Sequence, residues 1–170
     1  MPLTAAIAAR RLLLIGYGNP GRGDDGLGPA LAAEIEALGI RGLTVDIDYQ
    51  LTVDHAAMIA AYDVVVFADA MIGLAAPYRF AEVDAAEAET LGSHQVSPEA
   101  ALALARLLFG QAPPGWMLAI AGQEFGEVKE GLSQPARENL AGAVAFLRGW
   151  IDAETEAGSL PPPAALHRAE

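Results

Sequence analysis

The 170-residue chain contains no cysteine, few basic residues and no long apolar run. Without cysteine it forms no disulfide, no thiolate metal site and no cysteine nucleophile. No stretch reaches the roughly 18 apolar residues that a membrane-spanning helix needs, so we expect no membrane span. The 10 basic residues stand against 22 acidic ones, which argues against nucleic acid, since that partner is bound largely by lysine and arginine. We expect a cytoplasmic protein.

The motifs of several common hydrolases are also missing. None of the four serines lies in a G-x-S-x-G nucleophile elbow, and H-E-x-x-H is absent. Ser93 is too close in sequence to His94 for a persuasive catalytic triad. An aspartic dyad of Asp25 and Asp69 that shares one proton stays open, although the chain lacks a D-T-G signature.

The chain is organised around residues 12–28, LLLIGYGNPGRGDDGLG. Four aliphatic residues predict a buried strand, four glycines predict a tight loop, and an apolar period after Gly26 predicts a helix. The loop also matches G-x-G-x-x-G, which is typical of dinucleotide sites. However, Asp24 and Asp25 lie where such a loop presents bare N–H groups, and two unit charges about 5 Å apart repel by roughly 3 kcal/mol at a dielectric near 20. We therefore disfavour a nucleotide, and a carboxylate here either binds a cation or caps the helix.

Strands and helices are predicted to alternate along the rest of the chain. Further strands are expected at 43–49, 64–68, 78–83 and 116–121, and helices at 52–61, 97–109 and from 133 to about 151. This order predicts an α/β three-layer sandwich, in which helices flank both faces of a mostly parallel five-stranded sheet. The strand at 78–83 is a candidate edge strand. We expect one domain, residues 1–152, and a disordered tail, residues 153–170.

Candidate ligands gather at one edge of this predicted sheet. Asp24 and Asp25 follow the first strand and Asp69 ends the third, and ligands bind beyond the carboxyl ends of parallel strands. Asp69 has a second interpretation, in which it satisfies backbone N–H groups at the strand end. Two carboxylates and an imidazole would suit a borderline divalent ion such as zinc or nickel.

The chain offers three histidines for such a set. His94 lies in a glycine-containing loop before a capped helix, where functional residues are common. His55, early in a short helix, is expected to be a surface or partly packed residue. His167 lies in the tail and is not expected to be a ligand. His94 is therefore the candidate.

Four motifs together resemble those of the nickel–iron hydrogenase maturation endopeptidases. The resemblance runs from about Leu12 to Ile151. The motifs, in chain order, are Gly18-Asn19-x-x-x-Gly23-Asp24-Asp25-Gly26-x-Gly28, Ala68-Asp69-Ala70, Ser93-His94-Gln95 and Gly131-Leu132-Ser133. The loop Pro20-Gly21-Arg22 and the segment Tyr49 to Thr52 are closer to the branch that serves soluble bidirectional hydrogenases.

The resemblance implies a twisted five-stranded sheet and removal of a short C-terminal extension from the hydrogenase large-subunit precursor after nickel insertion. It assigns the catalytic and metal contacts to Asp25, Asp69 and His94, and makes Asp24 a helix cap or a supporting residue. Nickel would come with the precursor, and a divalent surrogate ion can take its place. We expect a monomer.

Two questions stay open at this stage. The metal either polarises the scissile carbonyl, activates a water, or serves only in recognition while Asp25 or Asp24 acts as base. A non-cleaving nickel-checkpoint chaperone is the competing function.

Overall fold

The computed structural model describes residues 10–87 and 95–157. The strands in these residues are β1 (Leu12–Tyr17), β2 (Leu43–Asp48), β3 (Val64–Met71), β4 (Tyr78–Glu82) and β5 (Gly115–Ala121). The α-helices are α1 (Leu27–Glu36), α2 (His55–Ala60), α3 (Pro98–Phe109) and α4 (Gln134–Ala157).

The strands form one sheet in the order β2-β1-β3-β5-β4. Neighbouring strands are parallel except for β4, which pairs antiparallel with β5 at the edge. The predicted fold class, a mostly parallel five-stranded α/β sandwich, is confirmed, and so is the edge position of the fourth strand. Within the described ranges, no helix has both the length and the apolar character needed to cross a bilayer.

Each face of the sheet has its own core, because alternate strand residues point to opposite faces. Leu12 and Leu14 lie on the face covered by α1 and α4. Leu13 and Ile15 lie on the opposite face, under α2 and α3. Strand β1 is therefore buried on both sides, which is why its sequence is uniformly apolar instead of alternating.

Two predicted boundaries are wrong. Strand β3 does not end before Asp69 but continues to Met71, because its pairing with β5 extends to Met71 opposite Ala121. Helix α4 does not end at about residue 151 but continues to Ala157. Its last turns are held by burial of Glu154, which pairs with Arg10 at 2.7 Å. Residues 158–170 of the expected tail lie outside the described residues.

Two glycines let α1 approach the sheet at backbone distance. A Cβ on Gly28 would lie 2.3 Å from the carbonyl oxygen of Tyr17 and 2.5 Å from that of Ala68. A Cβ on Gly16 would lie 2.4 Å from the carbonyl oxygen of Gly28. The first turn of α1 is thereby held against the carboxyl ends of β1 and β3.

We expect Gly28→Ala to lower the free energy of unfolding by about 2 kcal/mol or more, because overpacking a tight site displaces backbone. Gly149→Ala in α4 is the matched control, since a Cβ there meets nothing within 4 Å and alanine favours a helix by about 0.5–1 kcal/mol. Urea denaturation of the two variants and the wild type measures both effects. Equal stability of the Gly28 variant and the wild type would contradict the packing argument.

Candidate functional site

Asp24 is a buried carboxylate that connects the glycine loop to the segment after β5. It lies in a 3-10 turn, Gly23–Gly26, and is 0% exposed. Its oxygens accept the backbone N–H groups of Gln123 at 2.8 Å, Glu124 at 2.9 Å and Ser133 at 2.8 Å, and the Ser133 hydroxyl at 2.8 Å. Burial alone raises the pKa of Asp24, but the hydrogen bonds from Glu124, Gln123 and Ser133 outweigh it and hold the pKa below its usual value.

These contacts correct the expectation that Asp24 caps its own helix. Neither the 3-10 turn nor α1 has a side-chain cap. Asp24 instead holds Ser133, whose hydroxyl accepts the N–H of Ala136 at 3.2 Å in the first turn of α4. An enclosed carboxylate that already accepts four hydrogen bonds does not reach a substrate, so Asp24 is not the general base. Its neighbour Asp25 is only half-buried.

The backbone N–H groups of residues 18–25 are all used inside the protein, apart from the proline, which has none. They donate to the carbonyl oxygens of Asp48, Lys129 and Glu124, or to acceptors within residues 19–25. A phosphate-binding loop needs several such groups directed at the ligand. The dinucleotide interpretation of the G-x-G-x-x-G pattern therefore finds no support in the loop.

The structure brings Asp25 and Asp69 together at the carboxyl edge of the sheet. Asp25 accepts the N–H of Asn19 at 2.7 Å, and Asp69 accepts the N–H of Ala70 at 2.8 Å. Burial and, to a lesser degree, the charge of Asp25 raise the pKa of Asp69, the Ala70 hydrogen bond opposes them, and the pKa that results is about 7. A carboxyl that ionises at a cost beside a second carboxylate favours a bound cation or retention of its proton.

Two further residues at this edge escaped the sequence analysis. Tyr17, at the end of β1, is half-buried, and the charges of Asp69 and Glu99 both act on its hydroxyl. Glu99 lies in the first turn of α3. Tyr17 had a usable signal, because the alternation through Leu13 and Ile15 places it on the same face. Glu99 had no such signal in the sequence, because its distance from Tyr17 depends on how α3 packs against the sheet.

The third predicted ligand, His94, and its neighbour Ser93 lie outside the described residues. The assignment of His94 stays a prediction. The helix that follows begins as expected, since the Ser97 hydroxyl caps α3 by accepting the N–H of Ala100 at 3.1 Å.

A different group of possible metal ligands occurs among the described residues. Ligand atoms of Asp46, Asp48 and His55 lie within 4.8 Å of one another. His55, expected to be a surface or partly packed residue, is buried at 4% exposure. Its Nδ1 accepts the N–H of Thr52 at 2.9 Å, so in the neutral ring Nε2 carries the proton and faces Asp46 at 3.0 Å.

That arrangement does not suit a metal. A metal-bound imidazole offers the lone pair of one nitrogen while its other nitrogen donates a proton. In His55 the lone pair of Nδ1 already accepts the N–H of Thr52, and Nε2 carries the proton. Neither nitrogen is therefore free to bind a metal. We therefore interpret His55 as a hydrogen-bonded clamp that holds the turn after β2 against Asp46.

Comparisons with known proteins place the fold. No protein-family profile and no curated protein matches the chain. Among solved structures, it is similar to the NiFe hydrogenase maturation protease HycI of Thermococcus kodakarensis, with a TM-score of 0.67 and 19% identity over 85% of this chain and 94% of that one. It is also similar to the hydrogenase maturating endopeptidase HybD of Escherichia coli, with a TM-score of 0.62 and 20% identity over 87% and 94%. The hydrogenase 2 maturation peptidase of a Thaumarchaeota archaeon gives 0.62 and 18% over 84% and 98%.

At these identities the likeness establishes a shared fold. The three proteins named here are hydrogenase maturation proteases, and the fold that the four motifs implied is confirmed. The chain spans nearly the full length of each of them.

We expect Asp24→Asn to lower the free energy of unfolding by about 2–3 kcal/mol, because an amide NH₂ would face a backbone donor in a buried site. Urea denaturation at pH 7 measures the loss, and Glu127→Gln, an exposed acid on the same segment, is the control. Because the pKa of Asp24 is lowered on folding, its stabilisation is present above about pH 4 and is lost as the pH falls through the folded pKa. A deficit that persists unchanged in strong acid would contradict this role.

For Asp69 the dependence of protein stability on pH has the opposite sign. Its folded pKa of about 7 lies above the usual value of about 3.9, so the folded chain holds the proton more tightly and the stability of the protein falls as the pH rises from about 4 to about 7. We expect Asp69→Asn to raise the melting temperature more at pH 8 than at pH 4.5. Thermal melts across this range test it, with exposed Asp152→Asn as the control. A stabilisation that does not grow with pH would contradict the raised pKa of Asp69.

Proposed function

We propose that this chain is a peptide-bond hydrolase of nickel–iron hydrogenase maturation. It removes the C-terminal extension of the large-subunit precursor after nickel insertion, and acts as a cytoplasmic monomer. The observation that carries the proposal is the pair of Asp25 and Asp69 at the carboxyl edge of a fold shared with hydrogenase maturation proteases. The motif resemblance supports it independently.

In this proposal Asp25, Asp69 and His94 contact nickel that the precursor already holds, so that the substrate completes the site. The donor set fits such an ion. Burial and the charge of Asp25 disfavour ionisation of Asp69, and a divalent cation would relieve that cost. Carboxylate and imidazole donors are acceptable to nickel and zinc alike, so a surrogate ion is expected to bind as well.

The roles of the two neighbouring aspartates follow from how far each side chain is exposed. Precursor-bound nickel supplies positive charge next to the scissile carbonyl or the attacking water. A nickel that serves only in recognition would leave Asp25 as the base, because Asp24 is enclosed and fully hydrogen-bonded.

We expect Asp25→Asn, Asp69→Asn and His94→Ala each to abolish precursor processing, because each removes a proposed nickel contact. The assay mixes purified protein with nickel-loaded precursor and follows the precursor mass by mass spectrometry. Asp48→Asn is the matched control. It neutralises a nearby carboxylate on the same edge that belongs to the His55 group, and its processing is expected to match the wild type.

The same assay with nickel-free precursor tests the metal requirement. Loss of a discrete C-terminal peptide only from the nickel-loaded form supports the proposal. Stable binding without any change in mass would indicate a nickel-checkpoint chaperone instead. Normal processing by the Asp69 and His94 variants would refute the site assignment, and neither cleavage nor binding by the wild type would refute the proposed function.

A further inference from the structure

We propose that the hydroxyl of Tyr17 donates a hydrogen bond to the carbonyl oxygen of the peptide bond that Asp25 and Asp69 act on. Tyr17 would thus be a substrate-contacting residue that stabilises charge developing on that oxygen. The inference rests on the proposed function and names a further residue of its active site.

Strand register places Tyr17 next to Asp69. On β1 it pairs with Asp48 of β2. On its other side, Gly16 pairs with Ala68, so the next position of β3 beside Tyr17 is Asp69. The side chains of Tyr17 and Asp69 continue the odd-numbered rows that face α2 and α3. A residue at the same register on a neighbouring parallel strand lies about 5 Å away.

The glycine loop brings the second acid to the same place. A Cβ on Gly18, the next residue after Tyr17, would lie 2.0 Å from the carbonyl oxygen of Asp25. The Asp25 carboxylate is fixed by the N–H of Asn19. Tyr17 is thus next in sequence to the contact that positions Asp25, and next across the sheet to Asp69.

The Tyr17 hydroxyl donates no hydrogen bond to any group in residues 10–87 or 95–157. Among the other described tyrosines, Tyr62 donates to Thr44 Oγ1 at 2.9 Å, Tyr49 is largely exposed, and half-buried Tyr78 likewise donates to none of the described residues. The feature that sets Tyr17 apart is its place beside Asp69 and Glu99, whose charges act on its hydroxyl. That hydroxyl is not enclosed, so a ligand at this edge can reach it.

The surroundings also keep this donor protonated. Burial raises the pKa of Tyr17, and the charges of Asp69 and Glu99 raise it further. A neutral O–H held on a strand end would lower the barrier without reorganisation if the developing oxyanion formed beside it. Backbone N–H groups commonly play this part, but those of the glycine loop are already used inside the protein.

Tyr17→Phe tests the proposal, because it removes the hydroxyl and keeps the ring. Single-turnover cleavage of nickel-loaded precursor, with the protein in excess and its concentration varied, gives the maximal rate and the half-saturating concentration separately. We expect the maximal rate to fall about 100- to 1,000-fold, with the half-saturating concentration and the melting temperature unchanged. Loss of an unpartnered hydroxyl gives no reason for lost stability.

Tyr62→Phe is the matched control, since it removes a phenolic hydroxyl at the opposite, amino end of β3. Its maximal rate is expected to equal that of the wild type. A Tyr17→Phe protein that cleaves at the wild-type rate would overturn the inference and leave the proposed function intact. So would a variant altered only in its half-saturating concentration. A wild-type protein that does not cleave would overturn the proposed function, and the inference with it.

Discussion

The site depends on one buried carboxylate that never meets the substrate. Asp24 gathers three backbone N–H groups and one hydroxyl from two separate stretches after β5, and its neighbours Gly21 and Gly23 add main-chain bonds to Lys129. The glycine loop, which consists of flexible residues, is thereby fixed in one conformation. Asp25 is the next residue in the chain, so its backbone is held in place by the same contacts. A catalytic side chain on a loop is only as well placed as the groups that hold the loop.

Asp24 and Asp69 show how environment separates identical side chains. Asp24 is surrounded by donors, which favour its charged form. For Asp69, burial and the negative charge of Asp25 disfavour the charged form, and its one local donor does not offset them. The first carboxylate stabilises the fold, whereas the second weakens it at neutral pH. A loss of stability of this kind is typical of binding sites, where a bound ligand supplies the opposite charge or the hydrogen bonds that the protein lacks.

Local features were predictable from sequence, and long-range ones were not. The glycine loop, the Ser97 and Ser133 caps and the buried β1 follow from short patterns that act within a few residues. A supporting role for Asp24 was one of two expectations, but its partners were not predictable because they are about one hundred residues away in sequence. The burial of His55 was missed because it depends on Asp46 in a neighbouring strand. The end of β3 was placed too early because the strand is lengthened by pairing with β5 and not by its own composition.

The bond between Asp24 and Ser133 joins positions 109 residues apart. Contacts of such long sequence separation require closure of a large loop, which slows the folding of small domains. The full set of hydrogen bonds to Asp24 therefore needs Ser133, the residue that caps the last helix. A chain emerging from the ribosome carries Asp25 and Asp69 well before it carries Ser133, and lacks a preformed site throughout that interval.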